Sequence, residues 1–482
     1  MARRKYLYHR SQQVDLAIVD LAFEGKGIAK VPTENGDFVV FIPNTLPGQT
    51  VRCKMVKVKK AYAEARLIEV LEASAEEQPL DYHPIPGAPY INLPIERQAF
   101  YKRKTSIELF RRIGKIDKAE ELLDQYIESP RIFHYRNKME YSFAAVRAIP
   151  GDDRFRDDFA LGFKRRGQWL AVENLEGDSG IFDSQLENFL PKLAQFFTDR
   201  NLSAWHGKKH SGFCRMLAVR KSYVDDQLLI NFMSSSAEIE SFDSKAFTQL
   251  FLEEFGGRLA GLIHTVNDDI SDRPKSTEGK RNILHGEETI REQICGLSFN
   301  ISMESFFQTN PASAEQLYQK ALDYVFEKEI EDKPLILDLF AGTGTITQLL
   351  AQRASHSKVI GVEIVEEAVQ DAWKNAQANG IENLDFYAND VGKFLIENPE
   401  HAGKINTLTL DPPRAGIAPK TLRKIIRLNA ERIVYISCNP ATQARDMQTL
   451  AEHGYELKKY SLVDQFPHTA HIESVALFEL NR

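Results

Sequence analysis

Apolar and polar residues alternate in short runs along the first part of the chain. Residues 14–18 alternate strictly, and Asn35-Gly36 is a strong hairpin signal before the apolar run 38–42. Residues 51–60 are apolar on one face of a predicted strand and basic on the other. Short strands at this spacing are typical of a small closed or nearly closed β-barrel. We therefore predict an OB-like β-barrel over residues 1–73.

The following stretch is less regular. Residues 74–95 form a polar connector whose prolines exclude a regular helix. Residues 96–128 have a helical pattern that is also rich in lysine and arginine. Strand-like runs with intervening helices then continue to about residue 280, and the polar residues 266–285 predict an exposed loop. We expect a connector and a mixed α/β middle domain over residues 74–285.

From Pro334 onward, apolar strands alternate with helical segments. Strands are predicted over residues 334–340, 359–363, 384–387, 407–410 and 432–437, with helices at 347–353 and 366–379. This order is typical of a doubly wound, mostly parallel α/β sheet. Two further runs, 457–463 and 474–480, are close enough to predict an antiparallel pair at one edge. We assign residues 286–482 to this domain.

Composition narrows the class of protein. The chain has 482 residues, of which 43% are hydrophobic and 27% charged, as in an ordinary soluble protein of two or three domains. Its net charge is −7, so nucleic-acid binding has to come from local basic patches. Its 4 cysteines lack metal-ligand spacing, which suits a reduced compartment. With no signal-like or membrane-length apolar run, we expect a cytoplasmic protein and no membrane partner.

A cysteine follows one of the predicted strands. The strand over residues 432–437 runs into Ser-Cys-Asn-Pro, and the proline cannot continue a central strand. Cys438 is therefore expected at the carboxyl end of a strand, where open α/β sheets bind their ligands. A free cysteine is more often a small buried apolar residue than a nucleophile, so its neighbours decide between the two interpretations.

A Gly-x-Gly turn follows the first strand of the α/β sheet. Gly342 and Gly344 would let the backbone approach a nucleoside, and Glu363 ends the next strand, where a carboxylate can accept hydrogen bonds from ribose hydroxyls. A plain loop and a nicotinamide site are the alternatives. The full Gly-x-Gly-x-x-Gly form is absent, and Asp338 is expected where it would repel a pyrophosphate. These features favour a cationic cofactor without phosphate, such as S-adenosylmethionine.

The fourth strand ends in Asp-Pro-Pro-Arg, residues 411–414. Asp-Pro-Pro followed by an aromatic residue would indicate methylation of an exocyclic amine, with the ring stacked on the base. Arg414 follows here instead, and a cysteine ends the next strand. The pair indicates attack on a ring carbon.

Five segments together resemble the motifs of the RNA (uracil-5-)-methyltransferase family. They are residues 305–310 (Ser-Phe-Phe-Gln-Thr-Asn), 340–344, 411–414, 437–440 and 468–473 (His-Thr-Ala-His-Ile-Glu), in the family's order. The N-terminal barrel resembles a TRAM domain, and residues 135–140 are similar to a further family segment. The resemblance covers nearly the whole chain, is closest to the 23S rRNA enzymes, and implies a Rossmann-like class I methyltransferase sheet.

The resemblance assigns roles to particular residues. The positions that match cofactor contacts for S-adenosylmethionine are Gln308, Phe340, Glu363, Asp390 and Asp411. Cys438 matches the nucleophile, and Glu473 matches the base that removes a proton. We expect Arg414 to contact the substrate. Many family members hold an iron–sulfur cluster after the barrel, but residues 81–89 contain no cysteine, so we expect no cluster and no metal.

The N-terminal basic strand has two interpretations. Its lysines are either a solvated strand face or an RNA-contacting face, because phosphates need clustered positive charge. The candidates for RNA contact are Lys54, Lys57 and Lys59.

The chemistry implied is methylation of uracil at C5. Thiolate addition at C6 makes C5 nucleophilic, and a base must remove the C5 proton before the thiolate leaves. We expect a monomer that acts on 23S rRNA. The alternatives are a tRNA T-loop methyltransferase, a non-catalytic RNA-binding ribosome-assembly factor, and a cytosine C5 methyltransferase, which would need a second nearby cysteine. Glu473 could also simply pair with Arg414.

Overall fold

The computed structural model describes residues 7–34, 36–149, 154–165, 169–271, 279–328 and 335–481. In these ranges the chain forms sheets of six, seven, two and eight strands. The six-stranded sheet is N-terminal, the seven-stranded sheet is central, and the eight-stranded sheet is the largest element of the C-terminal part. None of the described helices combines the length and apolar content needed to cross a bilayer.

The N-terminal domain contains six strands in the order β1-β5-β6-β4-β3-β2. They are β1 (Gln13–Ala17), β2 (Asp20–Leu21), β3 (Lys26–Thr33), β4 (Gly36–Pro43), β5 (Thr50–Val58) and β6 (Tyr62–Glu72). The predicted hairpin joins β3 and β4, with Thr33 opposite Gly36, while Asn35 lies outside the described residues. The alternation predicted for β5 is confirmed, because Val51, Cys53 and Met55 are buried in the core.

The connector contributes a helix and a strand, α1 (Ile95–Arg112) and β7 (Leu123–Ile127). The prediction of one helical segment over residues 96–128 is therefore wrong beyond Arg112. After the helix, Lys115 adopts a left-handed φ of 58° and redirects the chain. Strand β7 then pairs in parallel with a strand near the C-terminus, a long-range contact that a local pattern does not contain.

The middle domain is a seven-stranded sheet in the order β10-β9-β8-β11-β12-β13-β14. Its elements are β8 (Lys138–Ala148), β9 (Phe155–Lys164), β10 (Val172–Asn174), α2 (Ser184–Thr198), β11 (Cys214–Lys221), β12 (Leu228–Ser234), α3 (Ser244–Phe255), β13 (Leu259–Val266) and β14 (Lys280–Gly286). Strand β14 pairs with β13, so the loop predicted over residues 266–285 is wrong in its last part. Residues 272–278 of that loop lie outside the described residues.

The C-terminal domain begins with the hairpin β15 (Thr289–Ile294) and β16 (Leu297–Ser302), followed by α4 (Pro311–Val325). The large sheet has the order β19-β18-β17-β20-β21-β23-β22-β7. Its strands are β17 (Leu335–Leu339), β18 (Lys358–Glu363), β19 (Leu384–Ala388), β20 (Ile405–Leu410), β21 (Arg432–Ser437), β22 (Tyr455–Val463) and β23 (Glu473–Leu480). The helices between them are α5 (Thr345–Arg353), α6 (Glu366–Ala378), α7 (Val391–Glu397), α8 (Pro419–Ile426) and α9 (Pro440–Glu452).

The doubly wound sheet is confirmed. Strands β17 to β21 are parallel, and β23 is antiparallel to both β21 and β22. The antiparallel pair at the end of the chain is also confirmed, but its predicted position at the edge is wrong, because β7 lies outside β22. Pro334, the first residue of the first predicted strand, lies outside the described residues.

Both faces of this sheet are covered. On β21, Val434 and Ile436 belong to the core formed with α4 and α5, while Ile433 and Tyr435 belong to the opposite core with α8 and α9. Helix α1 adds Phe110 to the second core, with ring centroids 4.5 Å from Tyr460. Burying side chains of this size contributes roughly 1.5–3 kcal/mol each, which explains the near-continuous apolar runs in the sequence.

Candidate active site

The candidate residues meet at one edge of the large sheet. Because the parallel strands β18, β17, β20 and β21 are neighbours, the residues at their carboxyl ends lie side by side. Strand β23 runs in the opposite direction, so its first residue lies at the same edge. In the order of the strands, the side chains at this edge are those of Glu363, Phe340, Asp411, Cys438 and Glu473.

Cys438 and Glu473 lie at the same end of the β21–β23 ladder. Ser437 on β21 and Ser474 on β23 form the last pair of this ladder, and Cys438 and Glu473 are the two residues that flank the pair. The charge of Glu473 acts on the thiol of Cys438, which indicates that the two groups are near each other. Asn439 then begins α9 by accepting a hydrogen bond from the Ala441 N–H at 3.2 Å. The thiol is therefore held at a strand-to-helix turn near a carboxyl group.

Burial and negative charge dominate this pair. The pKa of Cys438 is raised to about 12 by burial and by the charges of Glu473 and Asp411, and Arg414 opposes the increase. Burial, followed by the charge of Asp411, raises the pKa of Glu473 to about 8. Burial, followed by the charge of Asp338, raises the pKa of Asp411 to about 7. In the free protein at neutral pH, the thiol and most of Glu473 are therefore protonated.

Arg414 does not form a short ion pair with Glu473 in the described part of the chain. Its guanidinium Nη2 instead lies 2.8 Å from Nδ1 of His471, and its carbonyl oxygen accepts a hydrogen bond from the Asn439 side chain at 3.2 Å. Glu473 is 4% exposed. Arg414 is exposed, and its positive charge opposes the increase in the pKa of the buried Glu473.

The loop after β17 is tightly packed around its two glycines. The Gly342 N–H donates to Oε2 of Glu363 at 3.0 Å, which holds this carboxylate beside the loop. A Cβ on Gly344, whose φ is +75°, would lie 2.5 Å from Cζ of Phe386. Phe306 is 64% exposed, and its carbonyl oxygen accepts a hydrogen bond from the Thr343 hydroxyl. A tight loop, a carboxylate and an exposed ring together suit a nucleoside.

Asp390 and Gln308 border the same region. Asp390 begins α7, where its side chain accepts a hydrogen bond from the Lys393 N–H at 2.9 Å. Gln308 lies between β16 and α4, and its carbonyl oxygen accepts a hydrogen bond from the Asn137 side chain at 3.1 Å. The structure therefore brings Asn137, from the segment before β8, to the loop that carries Gln308.

One buried residue of this region has no signal in the sequence. Tyr318 on α4 lies near the Gln308 side chain, and burial, followed by the charges of Asp411 and Glu473, raises its pKa. By its helical spacing, Tyr318 is an ordinary core residue. Its position beside Gln308 depends on the packing of α4 against the sheet.

Asp338 does not face a ligand. It is fully buried within β17 and accepts hydrogen bonds from the hydroxyls of Thr347 at 2.5 Å and Thr409 at 2.8 Å. The expectation that it would repel a pyrophosphate directly is therefore wrong. Burial raises the pKa of Asp338 to about 6. Its effect on the site is indirect, since its charge raises the pKa of Asp411.

The residues at this edge fit S-adenosylmethionine. Glu363, Asp390 and Asp411 are acidic, which suits a cationic sulfonium and ribose hydroxyls better than a phosphate. Gly342 leaves its ligand side open, because the nearest atom to a Cβ there would be Cδ1 of Phe306 at 3.9 Å. The fit therefore depends both on charge and on the room left by a glycine.

Some basic residues of β5 and of the turn after it form ion pairs within the part of the chain that the structure describes, and others do not. Arg52 pairs with Asp15 at 2.9 Å, and Lys57 pairs with Glu64 at 2.8 Å. The lysines with no ion-pair partner in the described residues are Lys54, Lys59 and Lys60. Of these, Lys59 and Lys60 are exposed and Lys54 is half-buried. These three are the stronger candidates for RNA contact.

The cysteines lie on separate elements. Cys53 and Cys214 are buried in two different sheets, and Cys295 lies between β15 and β16. Within the described ranges, no group of three or more histidine, cysteine or acidic side chains could hold a metal ion. The absence of an iron–sulfur cluster stays a prediction, which iron analysis of the purified protein checks.

Comparison with protein families gives two matches along the chain. A tRNA (uracil-5-)-methyltransferase model matches residues 277–481, and a TRAM domain model matches residues 10–68. The first covers all strands of the large sheet except β7, and the second covers the N-terminal sheet as far as residue 68 in β6.

Whole proteins agree with these matches. A Clostridium acetobutylicum protein described as an uncharacterized RNA methyltransferase is 34% identical over 98% of this chain and 99% of its own length. One from Caldanaerobacter subterraneus with the same description is 35% identical over 98% and 99%.

Among solved structures, the Pyrococcus abyssi tRNA (uracil-54, C5)-methyltransferase in complex with S-adenosyl-L-homocysteine has a similar fold. The TM-score is 0.69 at 24% identity, covering 96% of this chain and 99% of that one. The family matches, the relatives and the acidic edge of the sheet agree. The chain thus belongs to the RNA (uracil-5-)-methyltransferase family and is an S-adenosylmethionine-dependent enzyme with an N-terminal TRAM domain.

Proposed function

We propose that the protein forms 5-methyluridine in RNA by covalent catalysis, with Cys438 as the nucleophile and Glu473 as the base. The observation that carries this proposal is the register of β21 and β23, which brings the two residues to the same end of one ladder. An RNA-binding protein without catalysis would need neither a thiol nor a buried carboxyl group at this edge. A cytosine C5 enzyme would need a second nearby cysteine, and the other three cysteines lie on distant segments of the sequence.

The first step is addition of the Cys438 thiolate to C6 of the uracil ring. A C–S bond forms, and the electrons of the C5–C6 double bond move toward C5 and the O4 carbonyl. Because burial raises the pKa of Cys438 to about 12 in the free protein, the thiol has to release its proton to solvent before it adds to C6. Arg414 is the nearby positive charge that favours the thiolate.

S-adenosylmethionine supplies the electrophilic methyl group that C5 takes. In the chain, the carboxylates Glu363, Asp390 and Asp411 would hold the cationic nucleoside, with Phe340 and Gln308 beside it. This leaves Cys438 and Glu473 on the side of the site away from Glu363. The order of the strands therefore separates cofactor binding from the attack on the base.

The last step needs a base at C5. Glu473 is mostly protonated in the free protein at neutral pH, so it first has to lose its proton to solvent. The carboxylate then takes the C5 proton, the C5–C6 double bond re-forms, and the C–S bond breaks to release the thiolate. Burial raises the pKa of Glu473, and a carboxylate with a higher pKa is a stronger base toward the weakly acidic C5–H. Without this step, the methylated RNA stays attached to Cys438.

We place 23S rRNA first among the targets. The lysines of β5 and the C-terminal sheet lie in separate domains, and two contact surfaces suit a large folded RNA. tRNA is the second candidate, because the Pyrococcus abyssi tRNA enzyme matches this chain over almost its full length, including the N-terminal part. The presence of a TRAM domain therefore does not by itself separate the two substrates.

Mapping 5-methyluridine in ribosomal and transfer RNA tests the proposal. RNA from cells that lack this protein is compared with RNA from cells complemented by the wild type or by Cys438→Ala. We expect a 23S rRNA position to lose its methyl group and to regain it only with the wild type. Loss confined to tRNA would move the assignment to the second candidate, and unchanged 5-methyluridine in both RNAs would overturn the proposed activity.

A further inference from the structure

The loop between β22 and β23, residues 464–472, leads directly into Glu473. On its downstream side, Glu473 is fixed by the pairing of Ser474 with Ser437. Its backbone also pairs with Val463 at the end of β22, so the loop closes a hairpin at this pair and acts on Glu473 from the terminal position of the ladder. Asn310 and Ser313, at the start of α4, bind the first residues of the loop. Further contacts come from parts of the chain more than three hundred residues away, beginning with α1.

Lys102 on α1 binds the loop at two points. Its Nζ lies 2.7 Å from Oδ1 of Asp464 and donates to the Phe466 carbonyl oxygen at 3.0 Å. The side chains of Lys102 and Asp464 are only 1% and 3% exposed. A buried ion pair is often no more stable than an apolar pair of the same shape, so stability alone gives little reason to place one here. What the lysine adds is a fixed distance between two points of the loop.

Gln98 binds the same loop one turn earlier on the same face of α1. Its Oε1 accepts a hydrogen bond from the His468 N–H at 2.7 Å, and its Nε2 donates to Nδ1 of the same histidine at 3.0 Å. The His468 carbonyl oxygen accepts from the Tyr90 N–H at 3.0 Å. These bonds hold His468 at a φ of +64°, a conformation that non-glycine residues adopt only when their surroundings impose it.

The middle and N-terminal domains complete the support. The Phe133 ring stacks on His468 with centroids 4.6 Å apart, and the Tyr135 hydroxyl donates to the Pro467 carbonyl oxygen at 3.0 Å. In the TRAM domain, Gly25 approaches Ala470 so closely that a Cβ at Gly25 would lie 2.7 Å from that of Ala470. Every domain therefore contacts this loop.

We propose that Gln98 and Lys102 are positioning residues for Glu473: by fixing the loop at His468 and at Asp464–Phe466, they set the place of the carboxylate relative to Cys438. The inference rests on the proposed role of Glu473. It assigns to the connector helix a part in the elimination step, although α1 contributes no group to the reacting atoms. Displacing a reactive group by about 1 Å can slow a step about 100-fold.

Two variants test the inference. Gln98→Met removes the hydrogen bonds to His468 without changing charge. Lys102→Met combined with Asp464→Asn removes both charges, so that no unpaired charge stays buried, and it also removes the bond to Phe466. Lys221→Met is the matched control, because it breaks a lysine–aspartate pair of 2.8 Å in the middle domain.

Single-turnover reactions with substrate RNA give two rate constants, for appearance and for decay of the covalent protein–RNA adduct. We expect both variants to slow decay by about 10-fold to 100-fold, while adduct appearance and RNA affinity stay within about twofold of wild type. Lys221→Met should leave both rate constants unchanged. A merely structural role would lower the amplitude of active enzyme and the melting temperature but not the decay rate constant.

Glu473→Gln in the same assay separates this inference from the proposed function. If Glu473→Gln accumulates adduct while both α1 variants decay at the wild-type rate, positioning is overturned and the proposed function stands. If adduct decays at the wild-type rate in Glu473→Gln as well, both fall. Equal slowing of appearance and decay also overturns positioning. If the double variant fails to fold, Gln98→Met decides the outcome.

Discussion

The charged groups of the TRAM domain are largely exposed, whereas Cys438 and Glu473, at the edge of the large sheet, are half-buried and buried. On β5, basic side chains are exposed or half-buried, and Arg52 and Lys57 are neutralised by carboxylates. At that edge of the large sheet, burial and nearby negative charges raise the pKa values of Cys438 and Glu473. Exposed charges act on binding and are screened by salt, whereas buried ones set protonation states and are screened little. The two regions should therefore respond to different experiments.

Replacing the thiol should have the largest effect. Cys438→Ala cannot form the C–S bond, so we expect methyl transfer to fall by at least about 10³-fold, as when other nucleophiles are removed. Binding of S-adenosylmethionine and of RNA should survive, because the cofactor residues lie on other strands. Methyl incorporation into RNA measures the loss of methyl transfer, and calorimetry measures whether S-adenosylmethionine still binds. Measurable turnover by the variant would contradict the covalent mechanism.

Replacing the base should stop the reaction at a later point. Glu473→Gln keeps addition and methylation but slows elimination by about 10²–10⁴-fold, the range for general base catalysis. We expect a denaturation-resistant protein–RNA adduct that already carries the methyl group, visible on denaturing gels and by mass spectrometry. A folded variant that shows neither adduct nor methyl transfer would instead favour a structural role for Glu473.

The same substitution should stabilise the fold at alkaline pH. The pKa of Glu473 is raised from 4.5 to about 8, so the folded protein keeps this proton where the unfolded chain has lost it. The contribution of Glu473 to stability is therefore full below about pH 4.5 and is lost as the pH rises through about 8. Glu473→Gln avoids this loss, which is on the order of 5 kcal/mol.

Denaturant titrations of the wild type and Glu473→Gln at about pH 5 and about pH 9 check this expectation. The two proteins should be similar at the lower pH, and the variant should be more stable at the higher one. A structural ion pair with Arg414 would give the reverse result, because removing the carboxylate would then destabilise the protein at alkaline pH.

The smallest effect should come from the exposed lysines. Replacing Lys54, Lys59 and Lys60 with glutamine should weaken RNA binding roughly tenfold and lower the slope of log affinity against log salt by about 2, if each meets one phosphate. Lys57→Gln is the control, because Glu64 already pairs with that lysine. Point variants are preferable to deleting the domain, since Gly25 packs against Ala470. Unchanged affinity and slope would mean that these lysines only face solvent.

Much of the candidate site could be predicted from the sequence, because its motifs follow directly after predicted strands. Once a parallel sheet is predicted, Asp411 and Cys438 have to share an edge, and an inserted antiparallel strand brings Glu473 to them. Local patterns do not show which segments pair or pack when they are far apart in the sequence. Strand β7 exists through its pairing with β22, and Tyr318 reaches Gln308 only because α4 packs against the sheet. Asp338 is acidic like a ligand residue, but two threonine hydroxyls bind it inside the core.

The position of β23 has a consequence for the order in which the protein can mature during synthesis. It follows all the other strands of this sheet in the sequence, yet it lies in the interior of the sheet, between β21 and β22. Domains generally fold from the N-terminus as they leave the ribosome, so the TRAM and middle domains can form early. The sheet cannot close until β23 emerges, and Glu473 emerges with it. A nascent chain that has not reached β23 can therefore present its TRAM domain, but it lacks the residue that we propose releases a methylated uridine.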